Sequence, residues 1–167
     1  PDQGLSNNEI AETMAQIASK SIEETGAGMF EFKIGLHSVS CEIEVVKQIR
    51  EALGTEIELA VDANMGFTVE QARRFLTETK DYRLANIEEP IAGLKAIARL
   101  RKETGVPVST HCVDLDALAC HPMIDSVVSD PSLLGGINDL VEFISSVKAL
   151  NKRFWLRSHW ELGIGWA

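Results

Sequence analysis

The side chains of this 167-residue chain best able to move a proton, hold a cation or grip a polar substrate each close a short apolar run. They are Lys33 in MFEFKIG, Asp62 and Asn64 in EIELAVDAN, Glu88 in RLANIEEP, His111 in VPVSTHC, Asp130 in IDSVVSDP and His159 in RFWLRSHW. Carboxylates are hard oxygen ligands for a divalent ion. Lysine and histidine are general acids and bases, and an aspartate behind an imidazole orients it and raises its basicity. Together these residues describe metal-assisted proton transfer, provided that the chain brings the run ends to one place.

One run is unusual in ending on two charges, Glu88 and Glu89, before Pro90. Successive side chains on a strand point to opposite faces, so only one of the pair can serve a common site. Glu88 shares its face with Asn86, and Glu89 is assigned a structural part. By the same alternation Ala60, Asp62 and Asn64 share one face while Leu59 and Val61 take the other. Glu31 and Lys33 likewise oppose Phe32 and Ile34. Carboxylates from consecutive strands then lie close together and repel unless a cation sits between them. Magnesium, a hard ion with oxygen ligands, suits that position.

The elements that must position these groups follow from periodicity. Helical spacing marks residues 8–24, 40–53, 68–79, 95–104, 115–120 and 137–150, each lying before or between the apolar runs. Strands alternating with helices through short loops give parallel βαβ units. A chemically capable residue at the end of every run favours a barrel, whose strand ends ring one mouth, over an open sheet with a single switch point. Neither GxGxxG nor GxxxxGK[ST] follows any run, so the nucleotide-binding versions of the open sheet have no support. The expected fold is α/β: a partial (β/α)8 TIM-type barrel of about six βα units with parallel strands.

Composition narrows the partners. A net charge of -9 without a basic run argues against nucleic acid, and no apolar stretch is long enough to span a membrane. The opening PDQGLSNNEI lacks the basic and apolar regions of a signal peptide, so the expected location is cytoplasmic. Cys41, Cys112 and Cys120 show no CxxC spacing and are expected as reduced thiols. His37 and His121 fall outside run ends and are assigned to loops or the surface, and Trp155, Trp160 and Trp166 to packing. Blander roles compete for the site residues too: a strand-terminal Asp often caps a helix, and a lone His is often structural.

Read in order, Lys33, VDAN, IEEP, SDPSLLGGI and RSHW resemble the barrel domain of the enolase superfamily, in its mandelate racemase and muconate lactonizing enzyme branch, and most of all its glucarate (acid-sugar) dehydratase group. The resemblance runs over residues 29–159. It implies that Asp62 and Glu88 are metal ligands and that Lys33, the second lysine of a lysine-x-lysine motif, is one acid or base. It further implies that Asn64 contacts substrate, and that Asp130 and His159 form a dyad on the other side of the substrate carbon. The implied cofactor is one Mg2+ and the implied partner a small carboxylate or acid-sugar substrate.

Two departures stand out. Glu31 occupies the position of the motif's first lysine, beside the substrate. At the third metal position, glutamate in racemases and asparagine in glucarate dehydratases, VSTHC offers His111, with Cys112 as a competing alignment. The family barrel has eight strands and a capping domain. Residues 1–167 are therefore expected to form a single incomplete enolase-type barrel domain lacking that cap, part of a longer protein that is a homo-oligomer when intact. The implied activity is metal-dependent abstraction of the α-proton from a carboxylate through an enediolate, with dehydration of a glucarate- or galactarate-like sugar. A racemase or epimerase of a 2-hydroxy acid, or a non-catalytic barrel remnant, are the alternatives.

Overall fold

The computed structural model of the chain describes residues 4–157. Its elements are α1 (Asn7–Thr25), β1 (Met29–Lys33), α2 (Val39–Leu53), β2 (Glu58–Asp62), α3 (Val69–Glu78), β3 (Leu84–Glu88), α4 (Leu94–Thr104), β4 (Val108–Thr110), α5 (Leu115–Ala119), β5 (Ser126–Ser129), α6 (Pro131–Leu134), α7 (Ile137–Ala149) and β6 (Arg153–Leu156). Local chemistry sets their limits. Ser6 with Glu9 and Thr68 with Gln71 form reciprocal capping boxes that start α1 and α3. Gly26 and Gly105 end α1 and α4 in the left-handed conformation.

The six strands form one parallel sheet in the order β1-β2-β3-β4-β5-β6. Each strand pairs with the next in sequence, and right-handed crossovers then place the helices that connect them, α2, α3 and α4, on the same side. Neighbouring helices accordingly pack side by side, α1 on α2, α2 on α3 and α3 on α4. The sheet curls away from them into a half-barrel, and the partial barrel expected from sequence is what the chain forms.

The alternation within strands decides what faces where. Leu59, Val61, Ile87, Val108 and Val127 are buried against Val46, Ile49, Phe75, Leu76, Ile97 and Leu100 of the helical layer. Each such side chain contributes about 1.5–3 kcal/mol when fully buried. The opposite faces of β1, β2 and β3 carry Glu31, Lys33, Ala60, Asp62, Asn86 and Glu88 into an open cleft. Register then sets the chemistry in a row: Lys33 lies opposite Asp62, and Asp62 opposite Glu88.

Three strands stop short of the residues expected to end them. β4 ends at Thr110, β5 at Ser129 and β6 at Leu156, so His111 and Asp130 stand just beyond the ladder. Asp130 leaves the sheet because it caps α6, a short helix that the sequence pattern does not predict. Its Oδ1 accepts from the N–H groups of Ser132 (2.9 Å) and Leu133 (3.2 Å), with Pro131 at the first helical position. His159, Trp160 and Trp166 lie outside the described residues. Among those described, no helix is long and apolar enough to cross a membrane.

The mouth is held by close backbone contact. A Cβ on Gly66 would stand 2.8 Å from the Ala63 carbonyl oxygen and 3.1 Å from that of Gly35, and Gly35 itself has φ +83°. The loops after β1 and β2 therefore meet without side chains between them. Gly66→Ala is expected to lower stability by about 1–3 kcal/mol, the usual cost of overpacking, in urea unfolding. Gly28→Ala, where a Cβ meets nothing within 4 Å, serves as the control.

Candidate functional site

The cleft has a volume of about 700 Å³. Asp62, the last residue of β2, is buried and uses both oxygens. Oδ1 accepts from the Asn64 N–H at 2.9 Å, and Oδ2 is ion-paired with Lys33 Nζ from the neighbouring strand. The chain turns sharply here, with Asn64 at φ 44° and Met65 at φ 60°, a conformation tolerated where surrounding structure enforces it. That turn puts the Asn64 amide 3.5 Å from Asp62 Oδ2 and on the cleft wall. Asp62 caps no helix, since α3 is capped by Thr68.

Glu88, buried at the end of β3, contacts Nε2 of His111 through Oε1. Asp62, Glu88 and His111 each present one ligand atom, and the three atoms lie within 4.8 Å of one another. Cys112 does not join this group; its Sγ is 3.9 Å from the Asp114 carbonyl oxygen.

Glu89 explains why the strand ends in two charges. It is 7% exposed and sits at φ 39°. Its Oε1 accepts from the Thr110 hydroxyl at 2.5 Å and the His111 N–H at 2.6 Å. Its own N–H donates to Ser109 O at 3.1 Å, while its carbonyl accepts from the Met65 N–H at 2.6 Å. The second glutamate thus ties three loops together and fixes the backbone of His111, leaving the first to face the cleft.

Two further groups complete the electrostatics. Burial pushes the Glu31 carboxyl up, Glu88 and Asp62 push it further, and Lys33 pulls it part of the way back. Asp130 is wholly buried. Burial raises its carboxyl, but hydrogen bonds from the Ser132 hydroxyl, the Leu133 N–H, Arg157 and the Ser132 N–H outweigh this and hold it below the usual aspartate range.

Arg157 is the site residue that sequence reasoning misses. Its Nε lies 3.3 Å from Asp130 Oδ2 and its Nη1 3.0 Å from His111 Nε2, so it bridges Asp130 and the acidic cluster. The signal is a period of two: Arg153, Trp155 and Arg157 alternate along β6 and just past it. The Arg153 guanidinium lies 5.7 Å from the Trp155 ring centroid, which places both on one face.

Comparison with known proteins supplies the family. The description "Enolase C-terminal domain-like" matches residues 13–167. The chain belongs to that family. It is 31% identical over 162 residues to Protein PHYLLO, chloroplastic, of Arabidopsis thaliana, covering 91% of this chain and 9% of that protein. It is 30% identical over 125 residues to the arabinonate dehydratase of Saccharolobus solfataricus, covering 71% of this chain and 34% of that enzyme. Other relatives of this enolase-type chain are epimerases and cycloisomerases. In fold it is similar to L-talarate dehydratase from Polaromonas sp. JS666, a structure complexed with Mg and L-glucarate, with a TM-score of 0.78 and 21% identity over 99% of this chain and 47% of the other. The chain therefore spans less than half the length of these proteins.

The donor set of this enolase-type site fits a hard divalent cation. Asp62 and Glu88 provide carboxylate oxygens, the preferred ligands of magnesium. At His111, Nε2 faces Glu88 Oε1 and Arg157 Nη1 together. A ring nitrogen holds either a proton or a lone pair, so it cannot donate to the carboxylate and accept from the guanidinium at once. With its lone pair exposed, Nε2 and Glu88 Oε1 are two acceptors converging on one point, and a cation satisfies both. The nitrogen makes the set mixed, which broadens it toward manganese and other first-row ions.

Proposed function

We propose that the chain carries the barrel part of the active site of an acid-sugar dehydratase, acting on a glucarate- or galactarate-like carboxylate. The observation that carries this reading is the row Lys33, Asp62, Glu88, in register across three parallel strands and joined by His111. Asp62 and Glu88, with His111 third, would hold Mg2+, which supplies positive charge against the negative charge that develops on the substrate carboxylate. Asn64 offers its amide to a substrate hydroxyl from the same wall. His159, oriented by Asp130, takes the α-proton, and the released electron pair passes into the enediolate. As the enediolate collapses, the hydroxyl on the next carbon departs. Lys33, on the other side of the cleft, gives it a proton, so that it leaves as water.

The relatives include epimerases as well as dehydratases, and what favours this outcome over racemisation is His111 at the third metal position, since an imidazole that ligates a metal is neutral, like the asparagine of the glucarate dehydratase group. The test is to incubate the intact protein with magnesium and a library of acid sugars, reading 2-keto-3-deoxy acid formation. One or a few sugars are expected to yield the keto acid, with none formed under chelation. Inversion at the α-carbon without loss of water would replace the reading with a racemase, and failure to bind magnesium at all would leave a non-catalytic barrel.

A further inference from the structure

Arg157 is the permanent cation at the far side of the cleft from Lys33, and its donors are incompletely used. Nε is directed at Asp130 and Nη1 at His111, while Nη2 has no acceptor among the described residues. The cleft it lines also holds Glu31, Asp62 and Glu88. The inner face of β1 offers an acid ligand only Lys33, already ion-paired with Asp62, and next to it stands the Glu31 carboxylate, which repels an anion. Arg157 is itself ion-paired with buried Asp130 through Nε at 3.3 Å, but its Nη2, without an acceptor among the described residues, is left for an anionic substrate entering this cleft. A guanidinium is charged at every working pH and grips a carboxylate through two parallel N–H donors.

The position of Nη1 adds a consequence. It lies 3.0 Å from His111 Nε2, the atom that His111 contributes to the acidic cluster, and in the tautomer with the proton on Nδ1 it donates to that nitrogen, leaving the neighbouring Glu88 Oε1 unprotonated beside it. One lone pair cannot both accept from Arg157 and coordinate a metal ion. We infer that Arg157 binds the reacting carboxylate of the substrate and is switched between two partners: it rests on His111 when the site is without metal, and metal binding at His111 releases its Nη1 and Nη2 fork for the substrate. Binding is then ordered, metal before acid. This rests on the metal site of the proposed function, and it makes Arg157 both a competitor of the metal and the receptor for the ligand.

The two roles have opposite signs; because loss of a nearby positive charge alone would also tighten magnesium, Arg157→Lys, which keeps the charge but loses the Nη1 contact to His111, is likewise expected to bind magnesium more tightly than wild type. In the intact protein, isothermal titration with magnesium chloride alone is expected to show tighter binding for Arg157→Met than for wild type, by about fivefold, the weight of one net hydrogen bond. Titration of D-glucarate into the magnesium-loaded protein is expected to weaken by at least about tenfold in Arg157→Met, as for loss of a charged hydrogen bond. Arg157→Lys, which keeps charge without the planar fork, should recover part of that loss, and thermal melting confirms that each variant is folded. Unchanged or weaker magnesium binding by folded Arg157→Met overturns the inference whatever glucarate does. Glucarate binding equal to wild type overturns it as well. If wild-type protein binds no magnesium, the metal reading itself fails and this inference falls with it.

Discussion

Asp62→Ala is expected to remove magnesium binding from the intact protein, weakening it by more than about 100-fold, because even groups that only orient a metal ligand are worth 10- to 100-fold. Asp62 is the expected keystone for a geometric reason: it is the middle residue of the row formed with Lys33 and Glu88, buried, with one oxygen fixed by the Asn64 N–H. Losing it leaves Glu88 and His111 too few to define a site. The fold should survive, since among the described residues the charged partner stranded is Lys33, whose side chain is 59% exposed and can turn to water. Calorimetric titration together with thermal melting separates the two outcomes. A folded Asp62→Ala protein that still binds magnesium like wild type would place the metal elsewhere or nowhere.

Much of this row is legible in the amino-acid pattern alone. In ELAVD the alternation of Leu59 and Val61 with Ala60 and Asp62 fixes which face is buried, and in LANIE it does the same for Asn86 and Glu88. Parallel pairing then brings the inward carboxylates together, because each strand lies beside the next in the chain. The part that resists reading is where backbone leaves the ladder. Asp130 looks like a strand end but caps α6, and Asp followed by Pro at a helix start is the available clue. Alternation marks Glu89 as structural, yet its contacts do not follow from the pattern, because they depend on a left-handed residue and on three loops meeting at that one residue, through its carboxylate and its backbone. Arg157 is hard to single out because the same short segment contains a histidine that looks more chemically capable.

These placements also limit how the proton-transfer roles can be probed. Asp130 is at once the partner of Arg157, the cap of α6 and the proposed support of His159, so its removal would disturb the helix and the cleft together. A loss of activity in Asp130→Ala would therefore not identify a dyad. The informative substitutions are at the two groups proposed to touch the substrate.

His159→Asn is expected to abolish deuterium exchange at the α-carbon in the intact protein, a loss of about 100- to 10,000-fold, whereas Lys33→Met should leave exchange measurable while stopping dehydration. The asymmetry follows from where Lys33 sits. It is ion-paired with Asp62, and Glu31 projects from the same strand face. An ammonium between carboxylates is a proton donor and an electrostatic partner, suited to protonating a departing hydroxyl and poorly suited to removing a proton from carbon. The α-proton is therefore proposed to fall to His159. Exchange reports only the first half of the reaction, and keto-acid formation reports both halves, so each residue should fail a different assay. If Lys33→Met abolishes exchange and His159→Asn retains it, the two roles are reversed. If both variants exchange like wild type, neither group is the base, and the mechanism built on them is wrong.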